Sequence, residues 1–134
     1  MIGAAIGSIS GLLIILIIAR LKCLDKSIMY SLILTGIAFF YVGFTWTDRI
    51  SLLICSLQVI LFIFIAYFAV NKYFYILPTG YFLHGLWDLA YSFFQSSNLM
   101  PPQYDTFCIT IDFSIGFYLV LLNYQSANKP KWLM

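Results

Sequence analysis

The chain has 134 residues, of which 63% are hydrophobic, 19% aromatic and only 9% charged. A water-soluble domain carries about 25% charged residues, so a free globule of this composition could not cover its apolar mass, and a mean hydropathy of +0.96 reads as an integral, multi-pass protein of the cell membrane. Its net charge of only +2 excludes nucleic-acid binding through a basic surface.

A helix needs about 20 mostly apolar residues to cross the hydrocarbon core. The first such run covers residues 2–19, and the positive charges Arg20, Lys22 and Lys26 follow it rather than precede it. That order is the reverse of a secretory signal, so a retained span is expected. Gly3, Gly7 and Gly11 stand four apart on one face of this helix. They form a smooth stripe that another backbone can approach closely, either a neighbouring span of the same chain or a second copy in a homo-oligomer.

The second and third runs cover 28–46 and 50–70, separated by the polar turn Thr47-Asp48-Arg49. The fourth, 78–94, is shorter and more polar; Pro78 suits its first turn, where the missing N–H would be unpaired anyway. Ser96-Ser97-Asn98 and Pro101-Pro102 then interrupt the chain before a fifth run at 105–123, with Asp105 expected to cap its positive end. The runs are continuously apolar rather than alternating, so helices are expected, not strands. The expected fold is an all-α membrane protein, a compact bundle of five transmembrane helices forming one domain over residues 1–134.

Direction follows from the basic residues. Arg20, Lys22, Lys26, Lys72, Lys129 and Lys131 fall on one side and Arg49 alone on the other. The positive-inside bias puts the N-terminus outside, the C-terminus in the cytoplasm and Trp132 at the interface. Cys23, Cys55 and Cys108 lack metal or disulfide spacing. Aromatic runs such as Phe39-Phe40-Tyr41 and Tyr73-Phe74-Tyr75 are expected to face lipid or the interface rather than form ligand cages.

The unusual polar residues lie in the fourth and fifth spans. His84 and Asp88 are four apart on one helix face beside Gly85 and Trp87, and Cys108 and Asp112 are four apart on the next helix. At about 1.5 Å per residue, Asp88 and Asp112 both lie roughly 10 Å below the outer surface, on antiparallel neighbours that can meet. Each carboxylate in that region costs about 2.5–3.5 kcal/mol on insertion scales, and no Lys or Arg stands at that depth. An imidazolium at His84, a bound cation or protonation of one Asp would compensate. His84, Asp88 and Asp112 are the candidate catalytic residues, with Trp87, Cys108, Gln58 and Tyr104 as candidate binding residues. Tyr81, Tyr91 and Tyr118 could add hydrogen bonds. With one histidine and no H-E-x-x-H, no metal ligand set is assigned.

The stretch 81–119 resembles a family of small, uncharacterised membrane proteins found in bacteria and fungi. The resemblance rests on His84-Gly85-Leu86-Trp87-Asp88, on Pro101-Pro102-Gln103-Tyr104, on Cys108-Ile109-Thr110-Ile111-Asp112 and on Gly116-Phe117-Tyr118-Leu119. Members often carry a further His after the Trp-Asp element and an acidic residue in the third span, where this chain has Tyr91-Ser92 and Gln58. The resemblance implies a fold and a site but no activity.

Three functions are compatible with these residues. One is a membrane-embedded enzyme acting on a lipid-like substrate by acid/base chemistry at His84. A second is a proton- or cation-coupled transporter or channel, assembled as a homo-oligomer through the first span. The third is a structural or accessory protein whose polar cluster only locks helices together. The cofactor is unknown, and the expected partner is membrane lipid, with no nucleic acid.

Overall fold

A computed structural model describes residues 1–94 and 99–128 of the chain. Five helices follow in order among these residues: α1 (Ile2–Arg20), α2 (Lys26–Phe44), α3 (Arg49–Asn71), α4 (Ile76–Phe94) and α5 (Tyr104–Ala127). The fold is all-α. By length and composition α1, α2, α3 and α5 could each cross a membrane. The fourth helix falls outside that set because Pro78, two glycines, aromatics, His84 and Asp88 dilute its aliphatic content. The expectations for Ser96-Ser97-Asn98, Lys129, Lys131 and Trp132 lie outside the described residues.

The helix starts follow local chemistry. Asp25 accepts the Ser27 N–H at 2.8 Å and the Ile28 N–H at 3.4 Å, so α2 begins two residues earlier than its apolar run suggests. Asp48 likewise accepts the Ser51 N–H at 3.2 Å, and the Ser51 hydroxyl also donates to it. These caps satisfy N–H groups that a helix cannot pair internally.

At α5 the expectation for Asp105 needs correction. It lies in the first turn, and the capping position belongs to Gln103, whose backbone is left-handed at φ 65°. That conformation costs a non-glycine residue about 1–2 kcal/mol. The Gln103 side chain does not cap its own helix. Instead its Oε1 accepts the Gly3 N–H at 2.8 Å and ties the start of α1 to the start of α5.

Within the helices, hydroxyls turn back on their own backbone. Thr35, Thr45, Ser56 and Ser114 donate to carbonyls four residues earlier at 2.6–2.9 Å. Polar side chains can therefore ride on apolar helices with no exposed donor. The outer surface is lined with large apolar residues such as Ile9, Leu12, Phe64 and Leu121, all more than half exposed.

Helix α5 is the axis of the bundle. It carries α1 on one side and α4 on the other, while α2 pairs with α3 and both reach α4. Close approach depends on glycine. Gly3, Gly7 and Gly11 are all buried, and their stripe faces α5 and the turn before it. A Cβ on Gly7 would run into the Phe107 carbonyl and the Thr110 hydroxyl, and one on Gly11 would meet Ser114 at 3.1 Å. The main core gathers Tyr30, Leu34, Ala38, Phe62, Leu77, Tyr81, Ile115 and Leu119.

Candidate functional site

A second pair of glycines builds the site. A Cβ on Gly85 of α4 would sit 2.9 Å from the Phe113 ring and 3.6 Å from the Asp112 Cβ, and one on Gly116 of α5 would meet the Phe82 ring at 3.1 Å. With hydrogen at both positions the two helices approach closely, and Asp112 comes beside His84, the neighbour of Gly85. The sequence reading noticed Gly85 but did not link it to Gly116. Two isolated glycines on different spans carry no joint signal until the register between the helices is known.

His84 Nδ1 and Asp112 Oδ2 are 2.7 Å apart, a hydrogen bond in which the imidazole N–H donates to the carboxylate. Asp88, one turn along α4, has Oδ2 3.6 Å from the same nitrogen. All three side chains are fully buried. No Lys or Arg stands anywhere in α4 or α5. One imidazole faces two carboxyl groups.

The hydrogen bonding is incomplete. His84 Nε2, both Asp88 oxygens and Asp112 Oδ1 are buried without a hydrogen-bond partner. A buried polar group left unpaired costs about 1–3 kcal/mol. One donor atom each from His84, Asp88 and Asp112 lies within 4.8 Å of the other two, a spacing at which a small cation could be shared.

Aromatic edges enclose the imidazole. The Phe62 ring stands edge-on at 4.8 Å between centroids, and Tyr41 does the same at 6.0 Å. Tyr41 is fully buried and also contacts Tyr91 at 5.1 Å and Tyr104 at 6.1 Å. Its hydroxyl is buried without a hydrogen-bond partner. Tyr41 therefore does not face lipid as expected, although its neighbours Phe39 and Phe40 are half exposed or more. A signal was present. Tyr30, Leu34, Ala38 and Tyr41 form one helical stripe, and all four are buried.

The remaining expected residues distribute unevenly. Tyr104 packs edge-on against Phe44 at 4.9 Å and interacts with Cys108, which is buried one turn before Asp112. Trp87 lies against Tyr91 at 6.3 Å with its indole N–H unpaired. Gln58 is buried on α3 with both amide atoms unpaired and forms no hydrogen bond to the cluster. Tyr81 donates to the Tyr30 carbonyl at 2.6 Å. Tyr118 packs on Tyr30 at 6.2 Å.

No curated protein and no solved structure matches the chain. One family profile covers residues 2–126, which include all five helices almost completely and every residue of the cluster. On that match the chain belongs to the family of unknown function DUF6010.

Proposed function

We propose that this protein is a membrane-embedded enzyme that performs acid/base chemistry on a lipid-like substrate, with His84 as the proton carrier. In this reading all five helices cross the cell membrane, with the N-terminus outside and Arg20, Lys22, Lys26 and Lys72 on the cytoplasmic side. The observation that carries it is the Asp112–His84 pair at 2.7 Å, fully buried, with the opposite imidazole nitrogen unpaired.

A carboxylate that accepts from Nδ1–H holds the imidazole in one tautomer and leaves Nε2 with a free lone pair. That nitrogen is then a general base able to take a proton from a substrate and return it elsewhere. Asp112 would orient the ring, and Asp88 would offset the positive charge that develops on protonation. The apolar surroundings favour a hydrophobic substrate and keep water from competing.

The test is a comparison of total lipid composition in cells producing the wild-type protein, His84→Gln or no protein, with folding checked by monodisperse purification. A lipid pool that shifts with wild type and reverts with His84→Gln supports the reading. Identical lipid profiles for wild type and His84→Gln would refute it.

A second reading has one observation in its favour: three donor atoms within 4.8 Å of each other, without a basic side chain on either helix. Such a group could carry a proton or a cation across the membrane in a homo-oligomer. The glycine stripe of α1 would not be the free surface for that assembly, since α5 occupies it. Proton or cation flux into proteoliposomes, lost in Asp112→Asn, would favour transport over catalysis.

A further inference from the structure

Both carboxyl groups of the buried cluster converge on one nitrogen. Asp112 Oδ2 lies 2.7 Å and Asp88 Oδ2 3.6 Å from His84 Nδ1, and none of the three side chains has any solvent exposure. Neither Asp88 oxygen has a hydrogen-bond partner, although the carboxyl group points at the imidazole. The bundle offers these carboxylates no fixed cation. Within the five helices the basic residues are Arg20, Lys26 and Arg49, each exposed and each the first or last residue of its helix. An imidazolium at His84 offsets one negative charge. A divalent ion held by a neutral imidazole and two carboxylates offsets both, and the whole site is then neutral, as a low-dielectric interior favours.

We propose that His84, Asp88 and Asp112 form a binding site for one divalent first-row transition-metal ion of the zinc type, with Nδ1 of His84 and one oxygen of each Asp as ligands. The donor set selects the class. One imidazole beside two carboxylates suits Zn²⁺ and its neighbours, whereas Mg²⁺ and Ca²⁺ take all-oxygen sites and Cu(I) takes sulfur. Zinc holds nitrogen and oxygen ligands at about 2.0–2.2 Å, which puts two ligands of a tetrahedral ion roughly 3.4 Å apart. The 3.6 Å between Asp88 and Nδ1 is close to that spacing, and a ligand atom from each residue already lies within 4.8 Å of the other two. The Asp112 contact has to open by about 0.7 Å as an ion replaces the shared proton. Two of the ligands stand one turn apart on α4 and the third on α5, so rigid elements hold all three.

A run of oxygen atoms leads from one end of the bundle to this site. Tyr41, Tyr91 and Asp105 stand in the last turns of α2 and α4 and the first turn of α5. Tyr41 packs on Tyr91 at 5.1 Å and on Tyr104 at 6.1 Å, which brings these three helix ends together, and its ring meets the His84 ring at 6.0 Å. The Tyr41 and Tyr91 hydroxyls and Asp105 Oδ1 are buried without hydrogen-bond partners, and they give an ion that sheds its water successive oxygen contacts. Nδ1 cannot hold both the ion and the proton it donates to Asp112. In the metal-bound protein the remaining ring proton sits on Nε2, and the general base is blocked. The proposal rests on the acid/base reading for this regulatory consequence and not for metal binding.

The chain has one histidine, so an untagged full-length protein made with isotope-labelled histidine gives an imidazole nitrogen spectrum of His84 alone. The purified protein in detergent is stripped with a chelator and titrated with Zn²⁺. One ion per chain is expected by competition with a chromophoric chelator, and the Nδ1 resonance is expected to move from a protonated to a metal-bound position at the same endpoint. Asp88→Asn and Asp112→Asn should each weaken binding by roughly a hundredfold or more, since even the outer partners of metal ligands are worth about 10–100-fold. Asp48→Asn, in the α2–α3 turn, should bind as wild type. The spectrum of the wild type decides the matter even if the cluster variants fail to fold. Less than one ion per chain, binding that leaves the Nδ1 resonance in place, or undiminished affinity in folded Asp88→Asn and Asp112→Asn would overturn the proposal. Zn²⁺ bound at Nδ1 in a protein whose cellular lipids ignore His84→Gln keeps the metal site and refutes the enzyme. Lipids that follow His84 in a protein that binds no Zn²⁺ keep the enzyme and refute the metal site.

Discussion

Replacing glycine by alanine at Gly7, Gly36 and Gly43 makes one chemical change in three environments. At Gly36 and Gly43 an added methyl meets nothing within 4 Å. Alanine there gains only helix propensity, up to about 1 kcal/mol. At Gly7 the methyl would lie 2.5 Å from the Phe107 carbonyl oxygen and closer still to the Thr110 hydroxyl. The hydroxyl can rotate, but the carbonyl belongs to α5 and cannot move alone. Relieving the contact means pushing α1 off α5, an overpacking cost of about 1–3 kcal/mol that outweighs the propensity gain. The expected order of thermal midpoints in one detergent is Gly36→Ala and Gly43→Ala at or above wild type, with Gly7→Ala below. The gap should be roughly 4–15 °C, taking about 4 °C per kcal/mol for a chain of this size. Hydrogen exchange should show the loss concentrated in α1 and the start of α5. A Gly7→Ala midpoint no lower than that of Gly36→Ala would refute the packing of the α1 stripe against α5.

Two further outcomes test other parts of the structure. Cys23 is exposed in the α1–α2 link while Cys55 and Cys108 are buried, so a membrane-impermeant maleimide should label folded protein once. If the N-terminus is outside, labelling occurs in inside-out vesicles and not in right-side-out ones; the opposite pattern would reverse the topology. Asp48 lies in the α2–α3 turn, where the Ser51 hydroxyl and backbone N–H hold its carboxyl below the ordinary 3.8. A group depressed on folding stabilises the folded state fully above its unfolded value and loses that effect as pH falls through its folded value. The protection factor of the Ser51 amide should therefore hold from neutral pH down to about pH 4 and fall only below it. Asp48→Asn should abolish that acid-side change, and an unchanged profile in Asp48→Asn would rule out the cap.

Much of this protein was legible before any coordinates. Composition alone excludes a soluble globule, and the continuity of the apolar runs excludes strands, because a helix pairs its backbone internally wherever it lies. The i, i+4 spacing of His84 with Asp88 and of Cys108 with Asp112 already puts each pair on one face, since helical periodicity is local. What the spacing could not supply is the register between α4 and α5. Gly85 and Gly116 let the two backbones approach, and this approach brings Asp112 of α5 to 2.7 Å from His84. Tyr41 and Phe62 join the site from helices distant in sequence, and Gln58, equally polar, does not reach it. A cleft of about 500 Å³ between α1 and α2, floored by α5, is the clearest case of tertiary determination. It exists because α1 packs on α5 and stands apart from α2, a relation between faces that no single stretch of sequence contains. Local chemistry decides which helices form and where they start; contacts between their faces decide which side chains share a space.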